Sequence, residues 1–496
     1  MSTTLVHEAL GVGYTGAIAL GSMILADVLH RTTSLSNEVT RKVSHIGSGI
    51  AVLLIPALID SAITVFVLCA GFAVLMVVTH FSGLLQGMHG VGRGVGGVLW
   101  YPLTAFTMYA LVFNVMHAPF YMYAIPILVL ATADAMGAVV GKRWGRHRYE
   151  VIGDHFRSIE GSTAVFTTAL IGVAGWLSFT NQLPFINLLL ISLATALGVT
   201  MLETVSVYGL DNFLVPFGTL FFLHFLSPLS VVELIGQFVL LAACLTGVVL
   251  ISWKKCTTAG GMVSLLMAAY VVWATGGDAW IMPFTGLLLT FAIYERLSPV
   301  ADTHTKNRYA LGTAASGLAV PVLIALAHDT MKSWNGDALY TAFLAALACD
   351  AAIIFFMLPQ NRSFVFKRLR RSFATRDLFQ PAPTLGKVPL PTVGAAIPLA
   401  CQPGGLPATP TTVLVLGLAL SGVAVFVISA ATLRSSHVMC PACGGVNLRG
   451  LYCCQDKRLG EGATRATAYS MSFRETFLMA NTVAALAAAG VVIWLL

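Results

Sequence analysis

Apolar runs of about twenty residues, separated by short polar collars, recur from one end of the chain to the other, and this spacing constrains the fold more than any other feature. A helix of that length rises about 30 Å, the thickness of a bilayer's hydrocarbon core. Runs that fit this description lie near 9–29, 45–59, 62–79, 99–115, 119–140, 163–180, 185–201, 211–225, 230–251, 261–275, 279–294, 310–328, 338–358, 391–401, 411–433 and 475–495, with 391–401 short enough to be re-entrant. Of the 496 residues 57% are hydrophobic and 10% charged, which is more apolar surface than a soluble chain can bury. The expected fold is therefore all-α: a polytopic transmembrane helical bundle of about 14–16 spans. No positively charged leader precedes the first apolar run, so that run is expected to be retained as a span.

The polar collars carry orientation. If the spans alternate as read, 27 of the 28 Lys and Arg residues fall in loops on one side, leaving only Lys332 opposite. Under the positive-inside rule that side faces the cytosol. The formal charge of +7 thus reads as orientation and phosphate binding, and a nucleic-acid partner is not expected. Single Cys69, Cys244 and Cys349 inside apolar runs behave as small hydrophobes and imply no disulfide framework.

One stretch departs from this pattern. Asp134 lies inside an apolar run, where a carboxylate is costly and reads as functional unless bundle partners satisfy it structurally. Gly137 and Gly141 follow at helical spacing and open one face to close approach. Lys142, Arg143, Arg146, His147 and Arg148 then form a cationic collar, and Arg157-Ser158-Ile159-Glu160-Gly161-Ser162 precedes the next run. Two carboxylates, several cations and glycines at one interface suit a metal-bound polyphosphate.

The pattern Asp134-x-x-Gly137-x-x-x-Gly141-Lys142-Arg143-x-Gly145, with Ser158-x-Glu160-Gly161-Ser162, resembles the polyprenol kinase family, which includes dolichol and phytol kinases. Arg41-Lys42-Val43-Ser44-His45, Glu203 and Asp211-Asn212-Phe213-Leu214-Val215-Pro216 resemble flanking elements, and the likeness covers roughly residues 35 to 225. It implies an integral membrane enzyme that phosphorylates an isoprenoid alcohol with a nucleoside triphosphate, commonly CTP. Asp134, Glu160 and Glu203 are then candidate Mg2+ ligands. Lys142, Arg143 and Arg157, with Gly137, Gly141, Ser158 and Gly161, form the candidate nucleotide site. His45 is either an interfacial histidine or the group that polarises the alcohol, a role for which Asp211 competes. Arg93, among the glycines of GVGRGVGG, is a weaker phosphate contact.

Lys254 and Lys255 mark a boundary, dividing a kinase-like domain (1–252) from a second module (253–496). The second is similar to phytyl-phosphate kinase-like transmembrane proteins through Lys255-x-x-Thr258-x-x-Gly261, Arg308 with Gly312 to Gly317, and Ala345-Ala346-x-Ala348-x-Asp350. Apolar residues follow Asp350, Phe426-Val427 stand where an Asp-Ser pair is expected, and Asn481 replaces an Asp. We read the module as a degenerate partner. Its loop 361–376 interleaves six basic residues with phenylalanines, as either an interfacial amphipathic segment or an ordinary positive-inside anchor. Cys440, Cys443, Cys453 and Cys454 could hold a structural Zn2+ with His437 as an alternative ligand, or remain thiols or form a disulfide.

The leading functional expectation is a CTP-dependent lipid kinase whose site loops face the cytosol. A cytidylyltransferase acting on a phospholipid is the enzymatic alternative, and a transporter or scaffold the non-enzymatic one.

Overall fold

The computed structural model describes residues 3–82, 96–151, 156–180, 183–206, 209–253, 259–297, 319–330, 336–356, 390–401 and 415. Each expected span from 9–29 to 279–294, and those at 338–358 and 391–401, is met by a helix, as is the described part of 310–328, while 411–433 and 475–495 lie outside the described residues but for 415; the chain is an all-α polytopic membrane protein. The helices are α1 (Thr3–Thr32), α2 (Asn37–Leu58), α3 (Ala62–Ser82), α4 (Gly96–Tyr109, continued by a π-helical turn at Ala110–Val115), α5 (Tyr121–Trp144), α6 (Ile159–Thr180), α7 (Phe185–Val205), α8 (Asp211–Leu226) and α9 (Val231–Trp253). Then follow α10 (Ala259–Gly276), α11 (Asp278–Leu297), α12 (Ala319–Thr330), α13 (Gly336–Phe356) and α14 (Leu390–Ala400). By length and composition α1, α3, α5, α6, α7 and α9 are long and apolar enough to cross a membrane; α8 and α10 are among the shorter apolar helices. The chain divides into two compact units, Met1–Met267 and Ala268–Leu496.

In the first unit α5 is the central element, packing against α2, α6 and α8, and from Met122 to Ala135 nearly every residue of it is buried. Close approach depends on small residues. A Cβ at Gly161 would lie 3.0 Å from the Gly137 carbonyl oxygen and 3.2 Å from Gly141 Cα, so the α5–α6 crossing requires glycine on both helices. Proline inside a membrane helix frees a carbonyl that water cannot reach, and neighbouring side chains must satisfy it. Pro56 of α2 is handled in this way: the fully buried Tyr123 of α5 donates its hydroxyl hydrogen bond to Val52 O at 2.8 Å.

α2 begins at Asn37 rather than near 45, and its first two turns are mostly polar, with Val39 and Val43 their only apolar residues. Glu38, Arg41, Lys42 and His45 fall at i, i+3, i+4 and i+7, which places them on one stripe. Between α5 and α6 the chain forms a feature that the helical reading did not include, a short antiparallel hairpin of β1 (Arg148–Glu150) and β2 (Phe156–Ser158). Its register pairs Arg148 with Ser158, Tyr149 with Arg157 and Glu150 with Phe156. Opposed residues in such a pair project to the same face, so Arg148, Phe156 and Ser158 share one face while Tyr149 and Arg157 share the other.

In the second unit Trp280 of α11 meets Phe343 of α13 at 4.7 Å between ring centroids and His328 of α12 at the same distance. Asp350 lies buried on α13 among alanines. The 361–376 stretch, Phe426, Val427, Asn481, His437, Cys440, Cys443, Cys453 and Cys454 lie outside the described residues, as do Arg93, Lys255, Thr258 and Arg308.

Candidate active site

The starts of α2 and α6 and the ends of α5 and α7 meet at one end of the first unit, and the hairpin joins them there. They surround a cavity of about 330 Å³ lined by Glu38, Lys142, Arg148, Arg157, Glu203 and Phe156, with Gly137, Ala138, Gly141, Ser158, Gly161 and Ser162. Ser158 accepts a hydrogen bond from Gly161 N at 3.1 Å and so caps α6, whose N-terminal end opens on the cavity. A helix N-terminus flanked by Lys142, Arg148 and Arg157 is an anion site by both dipole and formal charge.

Lys142 is 59% exposed and its ammonium lies 3.5 Å from Glu38, so a ligand can recruit it without breaking a tight pair. Arg157 is more committed. Its guanidinium pairs with the buried Glu203 carboxylate and donates to Glu203 O at 3.3 Å and Ser206 O at 2.8 Å, capping the carbonyl end of α7. Burial opposes the Arg157 charge, but Glu203 and the more distant Asp211 outweigh it and raise its pKa. On the same hairpin face Tyr149 bonds to Ser162 Oγ at 2.7 Å and Thr204 Oγ1 at 3.3 Å. Burial raises the pKa of Tyr149, the phenol stays protonated, and α6, α7 and the hairpin are tied together through it.

Beneath the cavity is a separate buried cluster. Asp134 is paired with Lys42 of α2, each side chain 3% exposed, and His45 Nε2 lies 3.2 Å from the same carboxylate and 3.1 Å from Leu130 O. Both neighbours of Nε2 are acceptors, so Nε2 carries a proton and donates to them. The Tyr101 ring packs edge-on against His45 with centroids 5.1 Å apart. Asp211, buried at the start of α8, accepts from Asn212 N at 3.0 Å and lies within electrostatic reach of Arg41, Lys42, Arg157 and Glu203.

Of the residues singled out in the sequence, Gly137, Gly141, Lys142, Arg157, Ser158, Gly161 and Glu203 come together around the cavity. Asp134, His45 and Asp211 lie outside its lining, as does Arg143, whose guanidinium sits over the Trp144 ring at 5.2 Å. Glu160 also turns away: its side chain binds His147 Nδ1 at 2.7 Å and accepts from His147 N at 3.2 Å. Sequence reading missed Glu38 and Phe156. The i, i+3, i+4, i+7 stripe of α2 carried the signal for Glu38, whereas Phe156 reads from sequence as an ordinary apolar loop residue.

Among curated proteins the chain is similar to the phytol kinase of Synechocystis sp., with 35% identity over 215 residues that cover 42% of this chain and 87% of that protein. No protein-family model matches the chain, and no solved structure matches it. The matched region is the N-terminal part that contains the cavity, and the aligned length takes in nearly all of the relative. Through this N-terminal half the chain belongs to the phytol kinase family.

Proposed function

We propose that the N-terminal half transfers a phosphoryl group from a nucleoside triphosphate, CTP by preference, to the hydroxyl of a long-chain isoprenoid alcohol such as phytol or dolichol, at the cytosolic face of its membrane. The observation that carries this reading is the cavity at the end of the helices, where a capped helix N-terminus and three basic side chains face two carboxylates. Kinship to a phytol kinase supports the alcohol, and the one-sided distribution of Lys and Arg supports the orientation.

Magnesium fits the donor set of this cavity. Mg2+ takes one or two protein carboxylates and fills its octahedron with phosphate oxygens and water. Among the described residues no group of three or more His, Cys, Asp or Glu forms an all-protein cage, while Glu203 and Glu38 both line the cavity. These two would hold the ion, which when bound supplies charge neutralisation on the phosphates. Lys142, Arg148 and the α6 N-terminus bind the triphosphate oxygens, and Arg157 keeps Glu203 oriented.

The alcohol approaches along α8. Phe213, Phe217, Phe221 and Phe225 repeat every four residues on this helix, half-buried, with stacked pairs at 4.3 Å and 5.8 Å between centroids. This apolar ladder leads to Asp211, which accepts the hydroxyl proton as the alcohol oxygen bonds to the γ-phosphorus and the bond from that phosphorus to the bridging oxygen breaks. The products are the alcohol monophosphate and the nucleoside diphosphate.

Purified full-length protein incubated with labelled CTP or ATP, Mg2+ and a panel of phytol, farnesol, geranylgeraniol, dolichol and phosphatidic acid tests the reading. The expected result is label from the γ-phosphate on an isoprenoid alcohol. Pyrophosphate release with a CDP-lipid product would establish a cytidylyltransferase instead, and no transfer to any alcohol would sink the kinase.

A further inference from the structure

We propose that Phe156 is the platform on which the base of the nucleotide stacks; the inference rests on the kinase reading and deepens it. Phe156 is a large apolar ring left 57% exposed, yet it lines the same cavity as Lys142, Arg148 and Arg157. Trp144 and Ile159 are as exposed and close by in sequence, but neither lines the cavity. Those two suit the membrane interface, where aromatic and apolar side chains sit at headgroup level. Phe156 is therefore distinguished by the company it keeps.

The hairpin register supplies the geometry. Arg148 pairs with Ser158, so Phe156 is its diagonal neighbour on one face, a separation of about 7–8 Å in such pairs. A base lying on the ring thus directs its phosphates towards Arg148 and the Ser158-capped end of α6. The opposite face holds the hairpin still, because Arg157 grips Glu203 and Ser206 O while Tyr149 grips Ser162 and Thr204. A ring positioned before the ligand arrives loses little entropy on binding. Every base has a π-face, so stacking on phenylalanine supplies affinity without choosing between bases.

Steady-state kinetics and equilibrium titration of the full-length protein test the assignment. Phe156→Ala should raise the KM and the Kd for CTP and for ATP in parallel, by about tenfold, the loss expected for one stacked base. Phe156→Trp should restore wild-type affinity. Inorganic tripolyphosphate, which has no base, should inhibit or bind wild type and Phe156→Ala equally. Unchanged nucleotide affinity in Phe156→Ala, or tripolyphosphate affinity that falls along with it, would overturn the proposal, the latter by showing a general distortion of the site. If the wild type transferred no phosphate at all, the kinase reading would fail, and the calorimetric Kd values for CTP and tripolyphosphate would still decide the role of Phe156.

Discussion

Lys42→Met is expected to cost about 3–5 kcal/mol of folding free energy, a loss that would appear as a sharply lower melting temperature and yield in detergent. The reason is the environment of its partner. Asp134 is 3% exposed, deep in α5, and Lys42 is its only lysine or arginine ion-pair partner among the described residues, with His45 beside it. Removing one member of a buried pair strands the other without water or counter-charge. Adding Asp134→Asn to the same background should recover most of the lost stability, since an uncharged amide in that position needs only hydrogen bonds. If Lys42→Met melts like the wild type, the pair is not a structural tie between α2 and α5.

Glu203→Gln should lower turnover by roughly a hundredfold or more, equivalent to about 3–4 kcal/mol of transition-state stabilisation. Glu203 is a buried carboxylate that both lines the cavity and pairs with Arg157, so the amide removes charge from the proposed phosphate site while keeping its shape. Glu160→Gln is the informative contrast. Its carboxylate faces His147 outside the cavity lining, and we expect turnover within about threefold of wild type, in the range of a surface substitution away from the site. Labelled phosphate transfer per folded molecule, with melting curves for each variant, measures both. Equal losses at Glu160 and Glu203 would show that the carboxylate at the start of α6 serves the reaction as well, and would overturn the assignment of the metal to Glu203 and Glu38 alone.

The contrast also shows what the chain discloses before it folds. Span positions were legible because a membrane helix is marked by the length of an apolar run, which needs no knowledge of neighbours. The true start of α2 was hidden by the same criterion, since of residues 37–45 only Val39 and Val43 are apolar and the turns before 46 carry no apolar run. Residues 158, 161 and 162 face the cavity together, as i, i+3 and i+4 positions do, and Glu160 falls off that face. That much was available from helical periodicity alone. The partners of Asp134 and Glu203 were not, because Lys42 is 92 residues away in sequence and Arg157 is 46 away, and no local pattern ties such positions together. The hairpin strands, three residues each, are too short to register against a background of helices.

The separation of 92 residues between Lys42 and Asp134 has a consequence for how the protein is made. A ribosome adding about 5–20 residues per second takes on the order of 5–20 s to cover that distance. Throughout that interval α2 has emerged with Glu38, Arg41, Lys42 and His45 on one side, and the helix that neutralises Lys42 does not yet exist. These residues stand in the first turns of α2, at its polar end, where a long charged side chain can stay hydrated at the membrane interface. Lys42 is therefore expected to stay in contact with water at the membrane surface and to be buried only when α5 brings Asp134 to it. Chains arrested before Tyr121 should leave Lys42 open to water-soluble amine reagents, and chains arrested beyond Trp144 should protect it.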